Sequence, residues 1–266
     1  MSKSLVRQQF GAHAAAYTTS LVHAKGASLS RLVEVTSPQG DWLVLDVATG
    51  AGHTAFAYAP HVARIVASDI TPEMLEQTAE HAGKRGLSNI ETRIADAEAL
   101  PFPDEAFDLV TCRIAAHHFP DVPLFVSEVR RVLKPAGLIA VVDNVAPDAA
   151  ILPGYDAPEL RDAAITYNAF EKLRDPSHGR CLTLGEWLSL LDDAGLAPTH
   201  SEVLAKDMAF RPWVERLDAS ASTISTLESM LADARPALRA FLRPREVEGA
   251  LTFTLAEALV VARREN

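Results

Sequence analysis

The feature that most constrains this chain is an alternation in its first half, where short, β-branched apolar runs are separated by segments of helix length. Residues 42–47, 64–69, 90–95, 107–112 and 138–142 read as strands. Thr71, Pro72 and Glu73 supply a hydroxyl cap, a proline at the first helical position and an acid at the positive dipole end, so a helix is expected from there to Gly86. Pro101, Pro103 and Asp104 mark a turn, and a second helix over 122–133 stops at Pro135 and Gly137. Strands joined through helices require parallel crossovers, and strands apolar on both faces require cover on both sides. The expected fold is therefore α/β, a doubly wound, mostly parallel sheet.

After about Ala146 the texture changes. Pro147, Pro153, Gly154 and Pro158 interrupt the chain, and helical stretches run to Arg180 without a strand. A helix over 184–194, a strand near 202–205, a mostly helical run over 213–242 and a last strand over 251–261 are expected to follow. The chain divides into N-terminal cap helices (1–40), a binding core (41–145), a helical lid inserted after the fifth strand (146–182) and the remainder of the core with a helical substrate-side insertion (183–266). In open α/β sheets ligands bind beyond the carboxyl ends of the strands, which is where such a lid sits.

Composition removes several alternatives. With 48% hydrophobic residues in 266, the chain buries a large core, and a formal charge of −10 opposes phosphate backbones, so nucleic acid is not an expected partner. Cys112 and Cys181 form neither a disulfide framework nor a thiolate metal pattern, which fits a reducing, cytoplasmic setting. No apolar run approaches the roughly 18 residues of a membrane span, so no integral membrane association is expected. Lys3, Arg7, Lys25 and Arg31 precede the first acid, Glu34; this is the bias of a transit peptide, although a structural helix explains the same segment.

The first strand runs into Asp46, Val47, Ala48, Thr49, Gly50, Ala51 and Gly52, and Gly50-x-Gly52-x-x-Ala55 satisfies the dinucleotide fingerprint. Three strand-end carboxylates separate the ligands such a loop can serve. Asp46 places a negative charge where a cation is preferred over a pyrophosphate. Asp69, 17 residues after Gly52, is positioned to accept from a ribose diol, and Asp96 from the exocyclic amine of an adenine. An ammonium, a ribose and an adenine in that order describe S-adenosylmethionine, with an NAD-dependent oxidoreductase as the alternative. At the exit of the fourth strand, Arg113 adjoins the cofactor position, and His117 and His118 offer imidazoles able to take an acceptor's proton. Asp143 and Asn144 at the fifth strand resemble the Asp-Asn pair that binds magnesium in catechol-type O-methyltransferases, but Arg113 stands about where the third oxygen ligand is expected, and no metal is assigned. Within the lid, Arg174, Asp175, His178 and Arg180 either recognise an acceptor or anchor the lid.

The stretches 44–53 (VLDVATGAGH), 67–71 (ASDIT), 94–108 (IADAEALPFPDEAFD) and 131–138 (RVLKPAGL) together resemble the class I S-adenosylmethionine-dependent methyltransferases, in particular the ubiquinone/menaquinone C-methyltransferase-like branch. The resemblance covers about residues 40–145 and implies a seven-stranded, Rossmann-like sheet whose last strand is antiparallel. It implies that Asp46, Ala48, Thr49, Gly50 and Gly52 surround the methionine part and Asp69 the ribose. Ile70 and Met74 then face the adenine, with Asp96 and Ala97 at its edge. Ala48 departs from the family, where glycine is common, and is tolerated only if its dihedrals are unstrained. The segment 6–17 resembles the helix that folds over the cofactor, making Phe10 and Tyr17 candidates to cover the sulfonium. The implied activity is methyl transfer to carbon, oxygen or nitrogen of a small molecule, a quinone precursor or a secondary metabolite, with S-adenosylhomocysteine as product. A cofactor-binding protein without turnover is the non-catalytic alternative. Oligomeric state is left open, a homodimer included.

Overall fold

The computed structural model describes residues 3–18 and 27–265, with the side chains of Gln9 and of residues 12–18 outside the described set. Two N-terminal helices, α1 (Lys3–Thr18) and α2 (Ala27–Thr36), precede the sheet. The doubly wound half comprises β1 (Leu43–Val47), α3 (His53–Tyr58), β2 (Arg64–Asp69), α4 (Pro72–Lys84), β3 (Ile90–Ile94), β4 (Phe107–Arg113), α5 (Val122–Val132) and β5 (Leu133–Asn144). There follow α6 (Ala157–Arg174), α7 (Leu184–Asp193), β6 (Leu196–Ala209), α8 (Phe210–Glu215), α9 (Ala221–Ala232), α10 (Pro236–Leu242), β7 (Arg245–Val247) and β8 (Ala250–Arg264).

The sheet order is β3-β2-β1-β4-β5-β8-β6, with the short β7 paired to β8. Strands β1 to β5 are mutually parallel, and β8 runs antiparallel between β5 and β6. Among the described residues the sheet has the seven strands that the family resemblance implies, with the short β7 added beside β8. The winding reverses between β1 and β4, and this opens a crevice at their carboxyl ends. Val44, Leu45, Leu109, Val110, Ile139 and Val141 are almost wholly buried, as strands covered by helices on both faces must be.

Several local expectations need correction. Thr71 occupies the N-cap of α4 but makes no side-chain cap, while its backbone N–H is spent on Asp69 Oδ1 at 2.9 Å. The strand expected near 202–205 is the 14-residue β6. Its outer positions alternate exposed with half-buried, and Pro198, His200 and Lys206 blur the apolar period by which a strand is recognised.

Strands β6 and β8 outrun the rest of the sheet. β8 pairs with β5 only from Glu257 to Arg263, yet its pairing with β6 continues to Thr252 opposite Ala209. The overhang forms a two-stranded arm beyond the carboxyl edge. On it packs an aromatic cluster in which Trp213 stacks on Phe170 at 5.1 Å and meets Phe253 edge-on at 4.9 Å, so α6 and α8 are docked as a lid. Among the described residues, no helix is long and apolar enough to cross a membrane.

Candidate active site

Two cavities lie beyond the strand ends. The first is lined by the β1 loop (Ala48, Thr49, Gly50), the ends of β2 (Asp69, Ile70) and β3 (Asp96, Ala97), Met74 of α4, Arg113 of β4, and Lys3, Val6 and Phe10 of α1. Of the residues singled out in the sequence, these form one pocket together with His118. Tyr17 lies in α1, and its side chain is outside the described residues.

Asp46 and Gly52 do not line it, and both take other roles. Asp46 is 1% exposed; Thr49 Oγ1 donates to its Oδ2 at 2.5 Å and Thr111 Oγ1 to its Oδ1 at 2.7 Å. Burial pushes its carboxyl up to about 6 against those hydroxyls and the Arg113 charge. It is a brace that ties the glycine loop to β4, not a free charge facing a ligand. Gly52 has φ 84°, and a Cβ there would come within 2.6 Å of Phe56 and 2.8 Å of Thr78. This glycine lets the loop pack against α3 and α4. At Gly50 a Cβ would meet nothing within 4 Å, so the bare backbone borders open space, the cradle a ligand chain needs.

Ala48 has φ 53°, the left-handed region that the family's glycine adopts without penalty. An L-residue there costs roughly 1–2 kcal/mol, and a glycine returns about 0.4–1 kcal/mol of that in unfolded-chain entropy. Ala48→Gly is therefore expected to stabilise the fold by about 0.5–1 kcal/mol, read as a rise of about 1–4 °C in the calorimetric melting midpoint. A fall in the midpoint would show that the loop holds no strain at this position.

Asp69 is 7% exposed and accepts from Gly50 N and Thr71 N, both at 2.9 Å. Burial raises its pKa, and these backbone donors oppose the rise. Asp96 Oδ2 meets Lys3 Nζ at 2.6 Å, and the same ammonium reaches Glu98 at 2.6 Å, pinning the start of α1 across the pocket mouth.

The second cavity lies on the other side of Phe10, Ile114 and His118, which line both. Phe10 meets His118 edge-on with ring centroids 5.0 Å apart. Ile114 has φ 54°, an outlier for a β-branched residue, held by its N–H donating to Val142 O at 2.7 Å. Behind this wall Asp143 takes up His117. Its Oδ1 pairs with His117 Nδ1 at 2.5 Å, and its Oδ2 accepts from His117 N at 2.7 Å. Asn144 N donates to the same carboxylate at 2.9 Å. With its oxygens so engaged, Asp143 is an orienting group for the imidazole and not one half of a magnesium pair. Desolvation pulls the His117 pKa down, but the charge and hydrogen bond of Asp143 more than reverse it, and the net shift is upward. His118, buried beside His117, is lowered to about 4 and holds its Nδ1 against Ser177 O at 2.9 Å.

The lid closes this second space. Gly179 N and Arg180 N donate to His117 O at 2.8 and 3.1 Å, so the loop after α6 is fastened to the imidazole's own backbone. Arg174, Asp175 and His178 line the cavity, whereas Arg180 is turned to Glu186. Glu171, Lys206, Met208, Arg216 and Leu255 complete it and carry no local sequence signal.

A doubly wound sheet with a glycine loop, a ribose-type carboxylate and an apolar slot at three successive strand ends defines a nucleotide-handling α/β enzyme. The methyltransferase domain family matches residues 45–141. The uncharacterized methyltransferase YcgJ of Bacillus subtilis is 36% identical over 207 residues, 78% of this chain and 78% of that protein. The crystal structure of BH2331 from Bacillus halodurans C-125 superposes with a TM-score of 0.81 at 35% identity, covering 91% of this chain and 100% of that one. A demethylmenaquinone methyltransferase of Deinococcus radiodurans is 41% identical over 107 residues, 39% of this chain and 44% of that protein. The chain belongs to the class I S-adenosylmethionine-dependent methyltransferases, and S-adenosylmethionine is its cofactor. The NAD-dependent oxidoreductase and the non-catalytic alternatives are thereby set aside.

Proposed function

We propose that the chain transfers a methyl group to a small molecule bound in the second cavity, across the wall formed by Phe10, Ile114 and His118. The observation that carries this reading is the common wall itself: one cavity on the glycine-loop side, one on the lid side, and His117, held from behind by Asp143, only on the second. Gly50, Asp69, Ile70, Met74 and Ala97 would hold the cofactor. When bound, it supplies an electrophilic methyl whose carbon–sulfur bond breaks, the electron pair staying on sulfur, as the bond to the acceptor forms.

The residues of this chain do the rest. Phe10 and the lid exclude water, which strengthens alignment and suppresses hydrolysis. Asp143 accepts a hydrogen bond from His117 Nδ1–H, which leaves Nε2 as the basic nitrogen of a ring that lines the cavity. An acceptor that must lose a proton is thus favoured over one that gains a positive charge. A quinone precursor and a secondary metabolite both meet that description, and the partial similarity to demethylmenaquinone methyltransferase supports the former.

Calorimetric titration tests the cofactor side. S-adenosylmethionine and S-adenosylhomocysteine are expected to bind at micromolar Kd, about −8 kcal/mol, with NADH silent. Preference for NADH would overturn the assignment of the first cavity.

A further inference from the structure

The second cavity leaves a set of hydrogen-bond acceptors unpaired. Glu171 on α6 is 4% exposed, and its Oε1 has no hydrogen-bond partner. Its other oxygen lies 3.9 Å from Arg174 Nη1, too far for a hydrogen bond. Asn144, at the end of β5, has an Oδ1 that is likewise buried without a partner. His117 commits Nδ1 to Asp143, and among the described residues nothing engages Nε2. All three residues line the same cavity, and all three atoms are acceptors. Buried acceptors left unpaired are costly, so two of them in one wall mark a place that a ligand's donors complete.

The cations of the same cavity, Arg174, Lys206 and Arg216, are already engaged. Arg174 donates to Trp213 O at 3.2 Å and lies 4.5 Å over the Trp213 ring, and Lys206 is paired with Glu257 at 2.6 Å. An anionic acceptor would meet the Glu171 carboxyl and unpaired oxygens instead of free ammonium or guanidinium groups. A hydrocarbon or a fully etherified acceptor would leave every orphan unpaired.

We infer that the methyl acceptor is a hydroxylated small molecule with at least two neighbouring O–H groups, one held by Glu171 and Asn144 and the other presented to His117 Nε2. This rests on the assignment of the second cavity to the acceptor. In the reaction the presented oxygen forms the bond to the methyl carbon, and its proton passes to Nε2, which leaves an ether and an imidazolium facing Asp143. Glu171 and Asn144 act as specificity residues that touch the acceptor and take no proton.

The test uses the full chain loaded with S-adenosylhomocysteine, with catechol and resorcinol as probes and their dimethyl ethers as controls, read by ligand-observed saturation-transfer NMR. The diols are expected to bind at least about tenfold more tightly than the ethers. Glu171→Met and Asn144→Leu are each expected to erase that preference with S-adenosylhomocysteine affinity unchanged. Glu171→Gln, which keeps the side-chain shape, is expected to weaken the diols severalfold. His117→Ala, which removes the acceptor of the presented O–H, is expected to weaken the diols severalfold and to leave the ethers unchanged. Equal binding of ethers and diols, no binding of either, or a preference that survives Glu171→Met would overturn the inference. Failure of the wild type to bind S-adenosylhomocysteine would instead overturn the reading of the first cavity.

Discussion

Asp143→Asn is expected to lower kcat by about 10²- to 10⁴-fold while leaving S-adenosylmethionine affinity within twofold, because it removes the group that sets the tautomer of His117 and touches nothing in the cofactor cavity. The carboxylate now accepts from His117 Nδ1, His117 N and Asn144 N. An amide offers only one oxygen to three donors and turns its NH₂ on another, so the ring loses its fixed orientation. The pH profile gives a readout that a merely structural role would not move. A base must be neutral, so wild-type turnover is expected to rise with pH through a midpoint above the ordinary 6.5, the direction in which Asp143 shifts His117. In Asp143→Asn both the charge and the bond that raise it are gone, and the midpoint should fall. A midpoint that stays in place would remove His117 from proton transfer.

Asp69→Ala is expected to weaken S-adenosylmethionine binding by about 10²- to 10³-fold, the loss of two charge-assisted hydrogen bonds to a ribose diol at about 1.5–3 kcal/mol each, discounted for partial replacement by water. The same substitution also releases Gly50 N and Thr71 N, which Asp69 now accepts at 2.9 Å. Asp69→Asn separates the two effects, since it retains one acceptor oxygen for the loop while removing the charge. Titration calorimetry on both variants checks this, and wild-type affinity in Asp69→Ala would refute the ribose assignment.

Which residues would line the first cavity was largely legible because that information is local. Gly50 just after β1, Asp69 at the end of β2 and Asp96 just after β3 follow one another within one stretch of sequence, and each falls where a parallel strand ends. Asp46 was misleading for a physical reason: a strand-end acid looks the same whether it faces a ligand or folds back onto hydroxyls, and the hydroxyl that decides it, Thr111, is 65 residues away on β4. Gly50 and Gly52 likewise look equivalent until one is seen beside open space and the other against Phe56. The wall of the second cavity was not legible beyond Phe10, His117, His118, Asn144 and the lid residues near 174–178. Glu171, Lys206 and Leu255 are ordinary residues in their own elements, and only the overhang of β6 and β8 carries two of them over the sheet edge.

That overhang also orders the making of the protein. Among the described residues, those lining the first cavity lie between Lys3 and Pro120, whereas the second cavity is finished by Leu255 on the last strand. A chain emerging from the ribosome carries the described lining of the first cavity before any of the helices after β5 exist, and β8 must then enter between β5 and β6. The substrate-side wall is thus a late assembly on an early platform.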